Sequence, residues 1–348
     1  MIDLVREKLA KTGADALLIT QPANVRYLSG FGTPEDGRVF VTEDQALLIT
    51  DGRYIAQAKE QSSLEQDIVA MGSQWPARVL ELAKGKTLAV EADHLTHAQF
   101  DLFAKDLKLV PVESFLTEFR LIKQPHEIQL ISEAAKLTDE AFSHILNVIK
   151  VGMKEVEVAL ELERFMRTGG ADSVAFPITV ASGYRSSMPH GTASGKVIEA
   201  GDLVTLDFGA KIQGYHSDMT RTLAMGTISE DEEKMYAAVL EAQETALAAI
   251  GPEKDGREID RIARDILGEH DLDQYFSHSL GHGVGMMIHE EPWLRSNMSY
   301  ILKAGMTATI EPGAYIPGKY GVRIEDLLVI TSTTKHVLSS SDKSLIRL

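Results

Sequence analysis

The stretch AGDLVTLDFGA, Ala200–Ala210, returns 104 residues later as AGMTATIEPGA, Ala304–Ala314. In that frame Gly201 meets Gly305, Thr205 meets Thr309 and Gly209 meets Gly313. Asp207 meets Glu311, so the one acidic position stays acidic. Each copy runs through a turn into a second segment with an acid of its own: Asp218 after Gly214-Tyr-His-Ser, and Glu325 after Gly321-Val-Arg-Ile. There the offset is 107, so the second connection is three residues longer. Two hairpins of one design, each with two acids, mark an internally duplicated domain.

Alternation predicts a strand over Leu203–Gly209, with Val204, Leu206 and Phe208 on one face and Thr205, Asp207 and Gly209 on the other. A turn centred between Ile212 and Gln213 sets Asp207 directly opposite Asp218. A turn centred on Gly318 sets Glu311 opposite Glu325. Such partners lie about 4.5–5.5 Å apart at Cβ. Like charges facing each other destabilise a strand pair, and on apolar strands the cost is larger still. Taken singly, each acid would be a strand end or a turn cap; four at matched positions in a duplicated frame are not so explained. The cations available within the strands are Arg221 and Arg323, which leaves a deficit that two divalent metal ions would fill.

The repeat extends beyond the hairpins. A helix over His126–Lys150 carries Ile128, Ile131, Ala135, Phe142, Ile145 and Ile149 along one stripe. Gly152 and a second helix, Glu155–Arg167, follow, and Gly169-Gly170 ends it. After the first hairpin a capping box at Ser229–Glu232 opens a helix over Glu230–Ile250. Gly256, again 104 residues from Gly152, precedes a helix over Glu258–Leu267. Two copies predict four helices behind one curved antiparallel sheet, with the acids converging on its other face.

Ahead of this domain, residues 1–120 read as a separate α/β unit. Ala16–Ile19, Val39–Val41, Ala46–Ile49, Ile68–Met71 and Leu88–Val90 are expected strands, and Arg53–Gln61, Trp75–Ala83 and Thr96–Leu107 expected helices. Asn24-Val-Arg-Tyr-Leu-Ser-Gly and Asp51-Gly-Arg-Tyr read as a site wall or as turns. The fold class is therefore α+β, with domains at 1–120 and 121–348. The 348 residues, 44% hydrophobic and 25% charged, suit two globular domains. A net charge of −16 argues against nucleic acid or an anionic membrane as partner. No apolar run approaches the roughly 18 residues of a membrane span. The first ten residues read as an amphipathic helix rather than a signal peptide. The chain has no cysteine, so disulfides and thiolate metal sites are excluded and a cytoplasmic location is expected.

Histidines lead into both hairpins: Met188-Pro-His190-Gly-Thr before the first, and Leu280-Gly-His282-Gly-Val-Gly, running on to His289-Glu-Glu-Pro, before the second. Glycine on both sides of His282 lets the backbone approach a site closely. Carboxylates with an imidazole turn the choice from Mg and Ca toward Mn, Fe, Co or Zn. Two such ions about 3.5–4 Å apart activate water and clamp reacting oxygens. Asp207-Phe-Gly mimics a kinase triplet and Gly281-His-Gly-Val-Gly a dinucleotide loop, but neither has the surrounding pattern.

Taken together, these contexts resemble the pita-bread metallopeptidases: Xaa-Pro dipeptidases (prolidases), aminopeptidase P, methionine aminopeptidases and creatinase. The residues that carry the likeness are Leu-Asp207-Phe-Gly-Ala, Ser-Asp218-Met-Thr-Arg-Thr, Gly-His282-Gly-Val-Gly, Ile-Glu311-Pro-Gly and Arg-Ile-Glu325-Asp. The resemblance implies a dimetal ligand set of Asp207, Asp218, His282, Glu311 and Glu325, holding two divalent ions, Mn first, with Co, Zn or Fe as alternatives. It further implies catalytic roles for His190 and His289 on the substrate side, a proton-shuttle role for Glu311, supporting contacts from Thr220 and Arg323, and a homodimer. The region before residue 121 resembles the creatinase-type, ribonuclease-H-like N-terminal domain, which methionine aminopeptidases usually lack, and creatinase does not keep the full ligand set. The expected substrate is therefore a proline-containing peptide, with an Xaa-Pro dipeptide first and longer Xaa-Pro peptides as the alternative. Trp293 stands where some dipeptidases have a basic residue for the substrate carboxylate, with Arg295 two positions on. A metal-dependent hydrolase of another C–N bond and a non-catalytic binding protein are the other classes.

Overall fold

Leu17 and Ile19 pack into one apolar cluster of the first unit, and Ala16 and Leu18 into another. This strand, β1 (Ala16–Ile19), is thus covered on both faces, which is why it reads as an unbroken apolar run rather than an alternation. The computed structural model describes residues 1–70 and 74–348. Met71, the end of the expected strand Ile68–Met71, lies outside the described residues. With β2 (Arg38–Thr42), β3 (Ala46–Asp51), β4 (Glu65–Val69), β5 (Thr87–Glu91) and β6 (Lys108–Val112), β1 forms a six-stranded mixed sheet of order β4-β3-β2-β1-β5-β6. Helices α1 (Ile2–Ala10), α2 (Pro22–Ser29), α3 (Ile55–Gln61), α4 (Trp75–Leu82) and α5 (His97–Ala104) belong to the same unit, Met1–Phe119.

Two elements here depart from expectation. Strand β6 carries Pro111 and was not anticipated; as the outermost strand of the sheet it tolerates a residue that cannot donate to the ladder. Asn24–Ser29 is not a turn but most of α2. Its start is fixed by a residue distant in sequence: Glu91 accepts from the Thr20 and Gln21 amides at 2.6 and 2.8 Å and from the Asn24 side chain at 2.6 Å. Gly30 ends the helix with φ 75°.

The second unit, Arg120–Leu348, is the duplicated one. A short helix, α6 (Thr117–Leu121), crosses the boundary in sequence, and α7 (Pro125–Ile145) and α8 (Glu155–Thr168) follow. The first half then lays down β7 (Ser173–Val174), β8 (Thr179–Ser182), β9 (Leu203–Phe208), β10 (Ala210–Ile212), β11 (Tyr215–His216) and β12 (Met219–Ala224). Phe142, Ile145, Leu162 and Met166 of the helices bury against Val204, Leu206 and Phe208 of β9. The second half repeats this with α9 (Glu230–Ala249), α10 (Gly256–Glu269), β13 (Gly281–Gly283), β14 (Glu290–Leu294), β15 (Thr307–Ile310), β16 (Gly313–Ile316), β17 (Tyr320–Arg323) and β18 (Asp326–Ile330). Here Val239, Ala242, Ile259 and Ala263 bury against Ala308, Ile310, Leu328 and Ile330. Pairing between the strands of this unit is antiparallel throughout these ladders.

One expected register is wrong. In the first hairpin Asp207 lies opposite Thr220, not Asp218, and the ladder continues as Lys211↔His216 and Ile212↔Tyr215. The turn falls on Gln213-Gly214, one residue later than expected, because both have positive φ (46° and 86°) and make a tight two-residue connection. A shift of two positions in partner keeps the side-chain face, so Asp218 stays on the face of Asp207 as its diagonal neighbour. The second hairpin keeps the expected frame. Ile310↔Asp326 and Gly313↔Arg323 bracket Glu311 and Glu325, which face each other between the two ladders.

Arg221 does not reach the acids either. It is 1% exposed and turns to the opposite side, donating to Asp326 at 2.8 Å and to the carbonyls of Ser341 and Asp342. Gln243 and Lys343 complete the Asp326 site at 3.0 and 2.8 Å. Removing one partner of a buried ion pair strands the other charge. Arg221→Met is therefore expected to cost about 3–5 kcal/mol in urea unfolding. A loss under about 1 kcal/mol, no more than an exposed pair is worth, would show that this network carries little stability.

Candidate metal centre

Asp207, Asp218, Glu311 and Glu325 line one cavity of about 500 Å³, with His190, His282 and His289 in its wall. The two hairpins meet there. Thr220 donates to Glu325 Oε2 at 2.6 Å, and the Glu325 amide donates to the Thr220 carbonyl at 3.1 Å. Thr222 and Arg323 exchange bonds in the same seam, at 3.0 and 3.2 Å. Arg323 is the single guanidinium among the acids. It donates to Asp207 Oδ2 at 2.6 Å, to Thr220 Oγ1 at 3.1 Å, to Tyr315 Oη at 2.7 Å and to the Pro189 carbonyl at 3.2 Å. Tyr315 in turn lies 2.9 Å from His278 Nε2. Neither Tyr315 nor His278 stands out in the sequence, since nothing in their local context signals the contact.

The approach of His282 depends on its glycines. A Cβ on Gly281 would overlap the Thr309 carbonyl, and one on Gly283 the Glu291 carbonyl. His282 Nδ1 lies 3.0 Å from the Gly283 carbonyl, which fixes the proton on that nitrogen and turns Nε2 toward the acids. Nε2 is 3.2 Å from Glu311 Oε1 and 3.7 Å from Asp218 Oδ2. Thr309 Oγ1 donates to the same Glu311 oxygen at 2.9 Å. The His289 ring stands edge-on to His282 with centroids 4.4 Å apart. His190 shares the cavity but is exposed and has no side-chain bond among the described residues.

The electrostatics are unbalanced. Burial, then the neighbouring carboxylates, push Asp218 and Glu325 well above the usual carboxylate range. Burial also raises Asp207, although Arg323 opposes it. Glu311 goes the other way: burial raises it, but the hydrogen bond and charge of His282 outweigh that and hold it at about 2. Burial lowers His289, and the His282 charge adds to the effect. One arginine and one imidazole do not neutralise four acids, two of them buried and two nearly so.

The residues fit a metal. Asp207 Oδ1 and Glu325 Oε1 are fully buried and have no hydrogen-bond partner among the described residues. Left so, each would carry the whole desolvation cost of a buried acceptor. Asp218, His282 and Glu325 each offer a ligand atom, all within 4.8 Å of one another. Carboxylate oxygens with one imidazole nitrogen form a donor set for a first-row divalent ion.

Comparison with known proteins agrees with this chemistry. Residues 129–332 match Metallopeptidase family M24, and residues 1–122 match the Creatinase/Prolidase N-terminal domain. A solved Xaa-Pro dipeptidase from Bacillus anthracis superposes with a TM-score of 0.94 at 42% identity, covering 100% of this chain and 99% of that one. The Xaa-Pro dipeptidase of Pyrococcus horikoshii is 37% identical over 99% of this chain and 100% of its own length. An X-Pro aminopeptidase from Thermotoga maritima superposes with a TM-score of 0.93 at 33% identity, covering 100% and 99% of the two chains.

Proposed function

We propose that this chain, which belongs to Metallopeptidase family M24 and carries a Creatinase/Prolidase N-terminal domain, hydrolyses the peptide bond before proline, with Xaa-Pro dipeptides as its first substrates. It is a metal-dependent peptidase; the count of two ions and the preference for Mn are part of this proposal. So are the division into an N-terminal domain over residues 1–120 and a catalytic domain over 121–348, a homodimeric state and a cytoplasmic location. The last is supported by a cysteine-free, acidic composition. No described helix is long and apolar enough to cross a membrane. The observation that carries the activity is the pair of orphaned, buried carboxylate oxygens, Asp207 Oδ1 and Glu325 Oε1, on residues that line one cavity with Asp218 and His282.

Asp207, Asp218, His282, Glu311 and Glu325 would hold the ions. When bound, these supply a water of lowered pKa and polarise the scissile carbonyl. Glu311 takes a proton in this cavity and delivers it to the proline nitrogen as the bond opens. His289, kept neutral by burial beside His282, donates one hydrogen bond to the developing oxyanion, and His190, in the same cavity, donates to the substrate. Arg323 holds Asp207 and Thr220 holds Glu325, so both ligands are fixed by partners outside the cation site. The proline nitrogen has no N–H, so selection falls on ring shape and on the apolar wall of Phe176, Pro177, Ile288 and Trp293.

The test is turnover of an Xaa-Pro dipeptide, an Xaa-Ala dipeptide and an Xaa-Pro-Yaa tripeptide by chelated protein as Mn²⁺ is added. Metal-dependent cleavage confined to the prolyl peptides supports the proposal; cleavage indifferent to metal, or none, rejects it. The aminopeptidase reading has one observation of its own. Arg323, the guanidinium in the cavity wall, is already engaged by Asp207, Thr220, Tyr315 and Pro189, so no unengaged guanidinium lines the cavity among the described residues to meet a dipeptide's carboxylate. A tripeptide preferred by more than about tenfold in kcat/KM would favour it.

A second measurement follows from the raised acids. Burial and the neighbouring carboxylates raise Asp218 and Glu325, so a metal ion that binds them competes with protons. Mn²⁺ added to chelated protein near pH 6 is expected to release about one to two protons per site, read by calorimetry in buffers of different ionisation enthalpy. Buffer-independent heats would show that the acids were already ionised.

A further inference from the structure

Glu155, the first residue of α8, is 0% exposed and lies outside the metal centre. Its Oε1 accepts from the Ser182 amide at 2.8 Å and the Ser182 hydroxyl at 2.9 Å. Its Oε2 accepts from the Ser194 amide at 3.1 Å, the Ser194 hydroxyl at 2.7 Å and Arg185 Nη1. Arg185 Nη2 continues to the Thr192 carbonyl at 2.9 Å. Ser182 is the last residue of β8 and Ser194 the point where the chain returns. The excursion between them, residues 183–193, carries His190. One carboxylate therefore ties both stems of that loop.

A solvated side chain would cap α8 adequately, and burying a charge is a poor source of stability. What five donors on one carboxylate do provide is a single geometry for the segment they hold. That matters for His190 in particular, because its imidazole has no bond of its own among the described residues and inherits its position from the loop. The second half uses a similar device. Asp260 on α10, also 0% exposed, accepts from the Leu280 amide at 3.0 Å, and its partner Arg264 donates to the Phe276 and His278 carbonyls just ahead of His282.

We propose that Glu155 is a positioning residue for His190: it fixes the loop so that the imidazole stands over the cavity before substrate arrives. This rests on the reading of His190 as a substrate-side group. A misplacement of about 1 Å in such a group can cost about 10²-fold in rate.

The test uses the full-length, Mn²⁺-loaded protein. Glu155→Gln, His190→Ala and the double variant are assayed on an Xaa-Pro dipeptide, and backbone hydrogen exchange is followed without substrate. Glu155→Gln is expected to lower kcat/KM by about 10²-fold. In the double variant it should add no more than about twofold to the loss from His190→Ala. Mn²⁺ affinity should stay within about threefold of wild type, since the proposed ligands lie on other elements. Faster exchange should be confined to residues 182–194, the two stem amides that Glu155 accepts from and the loop between them. Multiplying losses, an unchanged rate, or faster exchange throughout the second unit would overturn the proposal. Should Glu155→Gln not fold, Ser194→Ala removes one of the five donors and must show the same non-additivity and the same local exchange, or the proposal falls. Should wild type cleave no prolyl peptide, the functional reading fails, while the exchange pattern still decides whether Glu155 locks the loop.

Discussion

Glu311→Gln is expected to lower kcat on an Xaa-Pro dipeptide by about 10³-fold or more, with KM changed by less than about threefold. The substitution keeps the shape of the side chain and removes its two chemical abilities. Glu311 is the acid of the cluster that is held ionised, because His282 lies 3.2 Å from its Oε1 and Thr309 donates to the same oxygen. Being ionised, it has a lone pair open to a proton that the reaction releases, whereas Asp218 and Glu325 are biased toward keeping theirs. An amide cannot carry a proton at neutral pH and presents one acceptor instead of two. Loss of metal would give the same loss of rate, so the variant's Mn²⁺ content and affinity have to be measured beside its kinetics. A variant that binds two ions and retains more than about a tenth of wild-type kcat would remove Glu311 as the proton carrier.

What the sequence disclosed, and what it hid, divides along the length scale of the physics. The duplicated frame and the strand faces depend on nearest neighbours in the chain, and Val204, Leu206 and Phe208 do bury together opposite Asp207. The frame of the second hairpin was legible for the same reason. The first was misread by one residue at its turn because Gln213, a residue that rarely takes positive φ, does so here beside Gly214. Period-two geometry made that error harmless to the face on which the acids stand. Interactions between distant segments were not legible. Helix α2 owes its start to Glu91, the charge of Asp207 is met by Arg323 from the other half, and Arg221 serves Asp326 on the reverse side. Glu155 opens α8 and Asp260 lies near the start of α10. Their pattern fits a solvated first turn equally well, and only the loops that fold over them remove that option.

The stability of the protein should depend on cations in a way that exposes the same imbalance. Chelated protein is expected to lose thermal stability as pH rises from about 5 to 8, and saturating Mn²⁺ is expected to flatten that dependence. The sign follows from the direction of the shifts. Asp218 and Glu325 have folded-state pKa values well above those of an unfolded chain, so the folded state binds more protons. Their stabilising contribution is complete below the unfolded value and is lost as pH climbs through the folded one. His282, raised by Glu311 against the effect of burial, adds to the loss in the same direction. Glu311 itself, lowered to about 2, gives up its contribution only in strong acid, outside this window. Cations replace protons as the balancing charge, and at a thousandfold excess over Kd a single bound ion stabilises by about 4 kcal/mol. For a domain of this size that is a rise in Tm on the order of 10 °C, largest at the alkaline end, where the protons are gone. Turnover should fall to background in the same chelated samples and return with Mn²⁺. A chelated protein whose Tm is level from pH 5 to 8, or one that Mn²⁺ leaves unmoved at pH 8, would mean that these acids find their compensation inside the protein. The case for a metal centre would then fail at its physical root.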